Sequence, residues 1–128
     1  RLFDNGLVPE ENPFKNHNGS KSSVWSYGNR NPQGLAMDNK NNIWELEHGP
    51  KGGDELNRIK KGKNYGWPII TYGINYDDTI ISDKTHHAGM EQPVWHWTPS
   101  IAVCGMKFYY GDMFELWDEL NQLNLDEF

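Results

Sequence analysis

The stretch RNPQGLAMDNKNNIWELEHGPKGGDELN, from Arg30 to Asn57, carries the clearest fold signal in the sequence. Two segments, GLAMD and NIWELEH, flank the polar residues NKNN, and this pattern predicts a β-hairpin. The residues that follow, EHGPKGGDE, contain a histidine, a Gly-Pro pair, two more glycines and adjacent carboxylates. A connecting loop needs turn residues, but it does not need this concentration of chemical groups. The stretch therefore predicts a pair of strands that leads into a functional loop.

Short strands are predicted on both sides of this stretch. RLFDNGLVP (1–9) has apolar residues on either side of Asp-Asn-Gly and predicts a hairpin, and VWSYG (24–28) predicts a short strand. Downstream, ELNRI and YGWPII predict a third strand pair across the turn KKGKN, and PVWHWTP and GMKFYYG predict two more strands. Strands of this length at short spacing indicate an all-β sandwich, barrel or propeller.

The last segment, DMFELWDELNQLNL, has a different periodicity. Phe114, Trp117 and Leu120 recur at helical spacing, and Asp112 with Glu115 matches a capping box. This segment therefore predicts a short C-terminal helix.

The overall composition limits the classes of function. The chain has 128 residues, enough for one domain with a modest core, and a net charge of -6. This charge argues against nucleic acid as a partner, because phosphate binding needs clustered Lys and Arg. No apolar run approaches the ~20 residues of a membrane span. Six Trp, six Tyr and five Phe exclude a disordered composition, and Cys104, the only cysteine, cannot form a disulfide within the chain.

The loop after the hairpin offers ligands for a hard cation. Gly49 and Pro50 have no side-chain donors, but a turn can present two of their carbonyl oxygens to calcium, and Asp54 and Glu55 supply carboxylates nearby. A tight loop capped by acids is the alternative interpretation of the same residues. None of the five histidines has zinc-site spacing, and the sequence has neither a Gly-rich phosphate loop nor a GxSxG elbow.

An arginine and several rings are further candidates. Arg30 lies between two asparagines, just before a proline, where its planar donor fork could stabilise an oxyanion; a surface arginine in a polar loop is the alternative. NYGWPIITYGINYDD alternates rings with glycines, which can form a flat platform for a sugar or a planar cofactor. We expect Trp67 and Tyr72 to pack in the core by default. For Tyr76, at the edge of a loop, the sequence does not decide between the core and the platform.

Five motifs, in this order, carry a resemblance to one family: SYGNRNPQGLA, EHGPKGGDELN, KGKNYGWP, TYGINY and GMEQPVWHWTPSIA. With them the chain closely resembles the soluble quinoprotein sugar dehydrogenases, grouped with the glucose/sorbosone dehydrogenases. The resemblance runs from Arg1 to about Trp117, and residues 118–128 form a divergent tail. It implies that residues 1–128 are one partial domain, about two to three blades of a six-bladed β-propeller.

The resemblance also implies a site that holds pyrroloquinoline quinone (PQQ) and calcium. The PQQ contacts fall on Arg30, Asn31, His48 and Tyr76. The paired carbonyls of the active-site calcium fall on Gly49 and Pro50. A second, structural calcium falls on Glu55 and Tyr65. On this resemblance the loop after the hairpin is crowded because it serves both ions.

The activity implied is oxidation of an aldose at the anomeric hydroxyl to a lactone. In the family a histidine takes the proton from that hydroxyl, hydride passes to PQQ, and calcium and an arginine, here Arg30, stabilise the developing charge. The family also implies an external electron acceptor and a periplasmic or secreted location. It includes a homodimer as one assembly that the full-length protein could adopt.

Three departures from the family pattern leave other interpretations open. Asn29 stands where the family usually has histidine, the sequence after GDMFELW leaves the pattern, and the catalytic histidine is expected upstream of this chain, since none of its histidines matches that base. One alternative is a non-catalytic propeller that binds calcium or a sugar. Another is an unrelated calcium-binding β-domain, which the ordered run of five motifs disfavours.

Overall fold

The described part of the chain contains strands and no helix, and its strands form one antiparallel sheet. A computed structural model describes residues 1–16 and 21–111. The strands are β1 (Pro32–Met37), β2 (Ile43–Glu47), β3 (Asp54–Ile59) and β4 (Trp95–Trp97), and they pair in chain order. A four-stranded antiparallel sheet of this kind is the unit from which β-propellers are built. Of the two to three blades expected, the described residues contain this one sheet, and the all-β prediction is confirmed.

The hairpin predicted from the opening stretch is present. β1 pairs with β2 from Met37 opposite Ile43 to Pro32 opposite Glu47, with an irregularity between Pro32 and Gly34. Asp38 begins the turn: its Oδ1 accepts hydrogen bonds from the backbone N–H groups of Lys40 and Asn42. The NKNN turn is therefore closed by a short acidic side chain that supplies local acceptors, as such residues commonly do in turns.

The predicted pairing of ELNRI with YGWPII is wrong. β3 pairs instead with β2 and β4, while residues 66–70 form a turn in which Gly66 C=O accepts from Ile69 N–H and Ile70 N–H. Pro68 cannot donate to a ladder, and Gly66 takes a positive φ of 91°, so the segment turns despite its strand-like composition.

Three other strand predictions are only partly met. RLFDNGLVP forms its turn, with Phe3 N–H donating to Leu7 C=O, but not strands, and VWSYG contributes a single bridge between Tyr27 and Asn64. GMKFYYG has no strand over the described residues 105–111. These segments lack a laddered partner in the described part of the chain. The predicted helix over 112–125 lies outside the described residues. Within the described residues, no helix is long and apolar enough to span a membrane.

The two faces of the sheet differ in chemistry because side chains alternate along each strand. On one face Trp44 is buried and its ring lies edge-on to Phe108, with ring centroids 5.9 Å apart. On the opposite face the buried side chains are polar: Glu45, Glu47 and Asn57. A sheet face that buries two carboxylates needs compensating donors, and this need defines the surroundings of the site.

Candidate functional site

A cleft opens at the end of the sheet where β2 leads into β3. It brings together residues from the turn before β1, the loop between β2 and β3, and residues 65–71. Five residues predicted from the sequence line it: Arg30, His48, Gly49, Glu55 and Tyr65. The structure therefore brings these five residues to one cleft, from segments that are distant in sequence.

Three predicted residues are not among those that line the cleft. Asn31 and Pro50 are direct chain neighbours of lining residues, and Pro50 is buried while Asn31 is exposed. Tyr76 is 74% exposed and lies in the loop after Ile74. Trp67, which the sequence assigned by default to the core, lines the cleft instead.

The guanidinium of Arg30 is held at two points. Its Nη1 donates a hydrogen bond to the backbone carbonyl of His48 at 3.0 Å, and its Cζ lies 5.3 Å from the centroid of the Trp67 ring. The second contact is a cation–π interaction, which suits a planar guanidinium stacked on an indole. Arg30 is thus fixed in the cleft rather than free on the surface.

A buried acid cluster, Glu45, Glu47 and Glu55, lies behind Arg30. Asn57 is fully buried, and its Nδ2 donates to all three carboxylates at 3.1–3.3 Å. Asn29 Nδ2 donates to Glu45 and Glu47 at 3.3 Å. Because no Lys or Arg side chain hydrogen-bonds to the cluster among the described residues, amide groups are its principal compensation.

This environment raises the pKa values of all three carboxyls. Burial, with the Glu47 charge nearby, raises the pKa of Glu45 to about 8 and that of Glu55 to about 7. Burial also raises the pKa of Glu47, although hydrogen bonds from Arg30 and Asn31 oppose the shift. Sequence reasoning missed the cluster; the signal was the pair Glu45 and Glu47 on one face of a strand whose β3 neighbour carries Glu55 and Asn57.

The Gly49–Pro50 turn is fixed by Asp54, which the sequence suggested as a carboxylate ligand for a cation and which the structure uses as a hydrogen-bond acceptor instead. Asp54 has no exposed surface; its Oδ1 accepts from Gly49 N–H at 3.1 Å, and its Oδ2 accepts from Ser100 Oγ, Ile101 N–H and Ala102 N–H at 2.8–3.0 Å. Burial would raise the pKa of Asp54, but these hydrogen bonds outweigh it and hold the pKa below its usual value. Its oxygens are therefore committed to structure.

The donor groups around the turn fit a hard cation bound through carbonyls. Within residues 1–16 and 21–111, no donor is hydrogen bonded to the Gly49 or Pro50 carbonyl, so both oxygens stay available as ligands. The Tyr65 hydroxyl, in contrast, donates to Arg58 C=O and accepts from Lys60 N–H. The described residues contain no group of three His, Cys, Asp or Glu side chains placed to hold a metal.

Unfolding should depend on pH because of this acid cluster. Glu45 and Glu55 have folded-state pKa values of about 8 and about 7 against a usual 4.5, so the folded chain holds more protons than the unfolded chain between about pH 4.5 and 8. The free energy of unfolding should therefore fall as pH rises through that window, by up to about 6 kcal/mol from pH 5 to pH 8.

The measurement is urea denaturation at several pH values with a chelator present. Glu45→Gln, which cannot ionise, should flatten the pH dependence and be the more stable chain at pH 8. A free energy of unfolding that is constant or rises between pH 5 and pH 8 would contradict the raised pKa values.

The chain as a whole is similar to proteins of one known family. Residues 1–122 match the model of the Glucose / Sorbosone dehydrogenase family. The chain is 51% identical over 122 residues to the aldose sugar dehydrogenase of Escherichia coli (strain K12), which covers 93% of this chain and 33% of that protein.

The solved structures with a similar fold include two aldose sugar dehydrogenases. The apo-form of the soluble aldose sugar dehydrogenase from Escherichia coli is 50% identical, with a TM-score of 0.86 over 91% of this chain and 34% of that one. The PQQ-bound aldose sugar dehydrogenase from Streptomyces coelicolor is 38% identical, with a TM-score of 0.55 over 76% of this chain and 24% of that one. The chain spans about a third of the length of the Escherichia coli relative.

Proposed function

Because the chain belongs to the glucose/sorbosone dehydrogenase family, we propose that it forms part of an enzyme that oxidises aldose sugars at the anomeric hydroxyl to lactones, with PQQ and calcium as cofactors. The observation that carries this proposal is the cleft, because it places Arg30, His48 and Gly49 around one space. The named activity of the Escherichia coli relative and the PQQ bound in the Streptomyces coelicolor structure support the same proposal.

The residues of the cleft suit a planar, anionic cofactor. Arg30 brings a fixed positive charge whose side chain is already ordered by His48 C=O and the Trp67 ring. Little side-chain entropy is then lost when an anion binds, which favours binding and orientation. We assign Arg30, Asn31, His48 and Tyr76 to the contacts with PQQ, which supplies the two-electron acceptor of the reaction when it is bound.

Arg30 is the catalytic residue that this chain contributes. A preorganised guanidinium stabilises negative charge that develops during the reaction without reorganising at that moment. The guanidinium is ordered before any ligand binds, because it is held by the His48 carbonyl and the Trp67 ring.

Calcium is the second cofactor of the proposal. Gly49 and Pro50 would hold one ion through their carbonyl oxygens, which have no hydrogen-bond donor in the described part of the chain. Glu55 and Tyr65 would hold the structural ion; the Tyr65 hydroxyl is occupied, so its carbonyl oxygen is the available ligand. A bound cation would also lower the pKa of Glu55 by offsetting the repulsion from Glu47.

The general base that removes the proton from the sugar hydroxyl is assigned to a part of the enzyme other than these 128 residues. His48 is the histidine that lines the cleft, and its Nε2 is in close contact with the Val103 carbonyl oxygen. That contact occupies the ring atom, so His48 is better suited to packing beside a cofactor than to accepting a substrate proton. The proposal includes an external electron acceptor and a periplasmic or secreted location.

Reconstitution of activity tests the proposal. Residues 1–117 would replace the matching segment of a complete family member, which is then loaded with PQQ and calcium and assayed for dye reduction with aldoses. We expect turnover within about tenfold of the unmodified enzyme, whereas the 128-residue chain alone should show none, because a positioned base is typically worth ~10²–10⁴ in rate. A chimera that binds PQQ but has no activity would instead favour a non-catalytic propeller.

A further inference from the structure

The backbone that carries Arg30 is organised by one buried carboxylate. Glu47 Oε2 accepts hydrogen bonds from the backbone N–H of Arg30 at 2.5 Å and of Asn31 at 3.0 Å. Its other oxygen, Oε1, accepts from Asn29 Nδ2 at 3.3 Å and from Asn57 Nδ2 at 3.1 Å. A single side chain therefore receives donors from three consecutive residues, 29–31.

We propose that Glu47 is a positioning residue for Arg30: it fixes the backbone of Arg30 and Asn31 and thereby sets the direction from which the guanidinium enters the cleft. The positioning role rests on hydrogen bonds of this chain, and only its catalytic consequence rests on the proposed function. Glu47 lies at the end of β2 and pairs with Glu55 of β3, so the sheet holds the backbone of Glu47 in place.

The geometry separates Glu47 from its neighbour Glu45. Both side chains are almost fully buried, at 4% and 3% exposure, and both accept from Asn29 and Asn57. The carboxylate of Glu45, however, accepts no backbone N–H from residues 29–31 in the described structure. Glu45 therefore provides a matched control with similar burial and the same two asparagine partners but without the hydrogen bonds to the backbone of Arg30 and Asn31.

Arg30 is then constrained at both ends. Glu47 holds its backbone N–H, while His48 C=O and the Trp67 ring hold its guanidinium. Since Glu47 and His48 are consecutive, one short piece of chain fixes both ends of Arg30. A catalytic group needs this kind of support because a small misplacement weakens its contribution strongly.

Amide hydrogen exchange measured by NMR on the 128-residue chain tests the proposal. Gln has one acceptor and one donor group where the carboxylate has two acceptors, and a neutral acceptor bonds about half as strongly. In Glu47→Gln we expect exchange at the Arg30 and Asn31 amides to accelerate about tenfold or more, while the amides that pair β2 with β3 stay protected. In Glu45→Gln the two loop amides should change by less than about threefold.

Unchanged loop amides in Glu47→Gln, or equal acceleration in both variants, would overturn the proposal. If Glu47→Gln does not fold, the native chain decides: a scalar coupling across the hydrogen bond from the Arg30 amide nitrogen to Glu47 Cδ is expected, and its absence refutes the contact. In the reconstituted chimera, Glu47→Gln should lower kcat about tenfold with little change in KM. If the proposed function fails, there is no activity to lower, but the exchange result stands independently.

Discussion

Replacing Arg30 with alanine in the reconstituted chimera should lower kcat by about 10²–10³-fold, with a much smaller loss of PQQ affinity. The guanidinium is already ordered in the cleft by the His48 carbonyl and the Trp67 ring. Its charge therefore meets the negative charge that grows during the reaction more strongly than it meets the ground state, and such interactions raise kcat. Dye-reduction kinetics and a PQQ titration of the same preparations measure the two effects separately.

Two further variants control for this result. Arg30→Lys keeps the charge but loses the planar fork and the stacking on Trp67, so its kcat should fall between those of the native and alanine proteins. Arg58→Ala removes another half-buried guanidinium, which donates to Asn42 Oδ1 in the turn between β1 and β2, at the opposite end of the hairpin from the cleft. This variant should keep kcat within about twofold of the native value. Equal turnover in native and Arg30→Ala proteins would remove Arg30 from the mechanism.

Replacing Asp54 with alanine should lower the free energy of unfolding by about 3–5 kcal/mol. The change removes the acceptor for Gly49 N–H, Ser100 Oγ, Ile101 N–H and Ala102 N–H together, and Gly49 is buried, so water cannot easily replace its partner. Because domains of this size have only about 5–15 kcal/mol of stability, the loss is a large share of the total. Urea denaturation of the native and variant chains measures it.

The controls for Asp54 are a conservative and a distant substitution. Asp54→Asn keeps one acceptor oxygen and most of the volume, so about half of the loss should remain. Asp78→Ala removes an exposed carboxylate that pairs with Lys51 and should change stability by less than about 1 kcal/mol. If Asp54→Ala were no more destabilising than Asp78→Ala, the hydrogen bonds of Asp54 would contribute nothing net to folding.

The sequence predicted the cleft well where local pattern and chemistry coincide. The hairpin followed from GLAMD, NKNN and NIWELEH, and the placement of Arg30, His48 and Gly49 in one cavity followed from the resemblance. Both depend on residues close to the hairpin, where strand pairing and turn chemistry leave little freedom.

The parts that could not be predicted depend on long-range packing. YGWPII has a strand-like composition, yet Gly66 and Pro68 make it a turn, since tertiary context decides β-propensity. Alternation along the strand places Glu45 and Glu47 on one face, but it could not show that this face is buried or that the side-chain amides of Asn29 and Asn57 donate to its carboxylates. The sequence also did not decide the place of Tyr76, whose ring is mostly exposed in the structure.

The hydrogen bonds of Asp54 to Ser100, Ile101 and Ala102 have a consequence for how the chain folds. The pairings β1–β2 and β2–β3 join neighbours in sequence, so they close short loops and can form early. The contacts from Asp54 to residues 100–102 span 46–48 residues and carry a larger loop-closure entropy. Strands β1, β2 and β3 should therefore be paired in the folding transition state, with φ-values near one in the β1–β2 hairpin, before β4 is added. The Gly49–Pro50 turn should reach its final geometry later, when residues 100–102 dock.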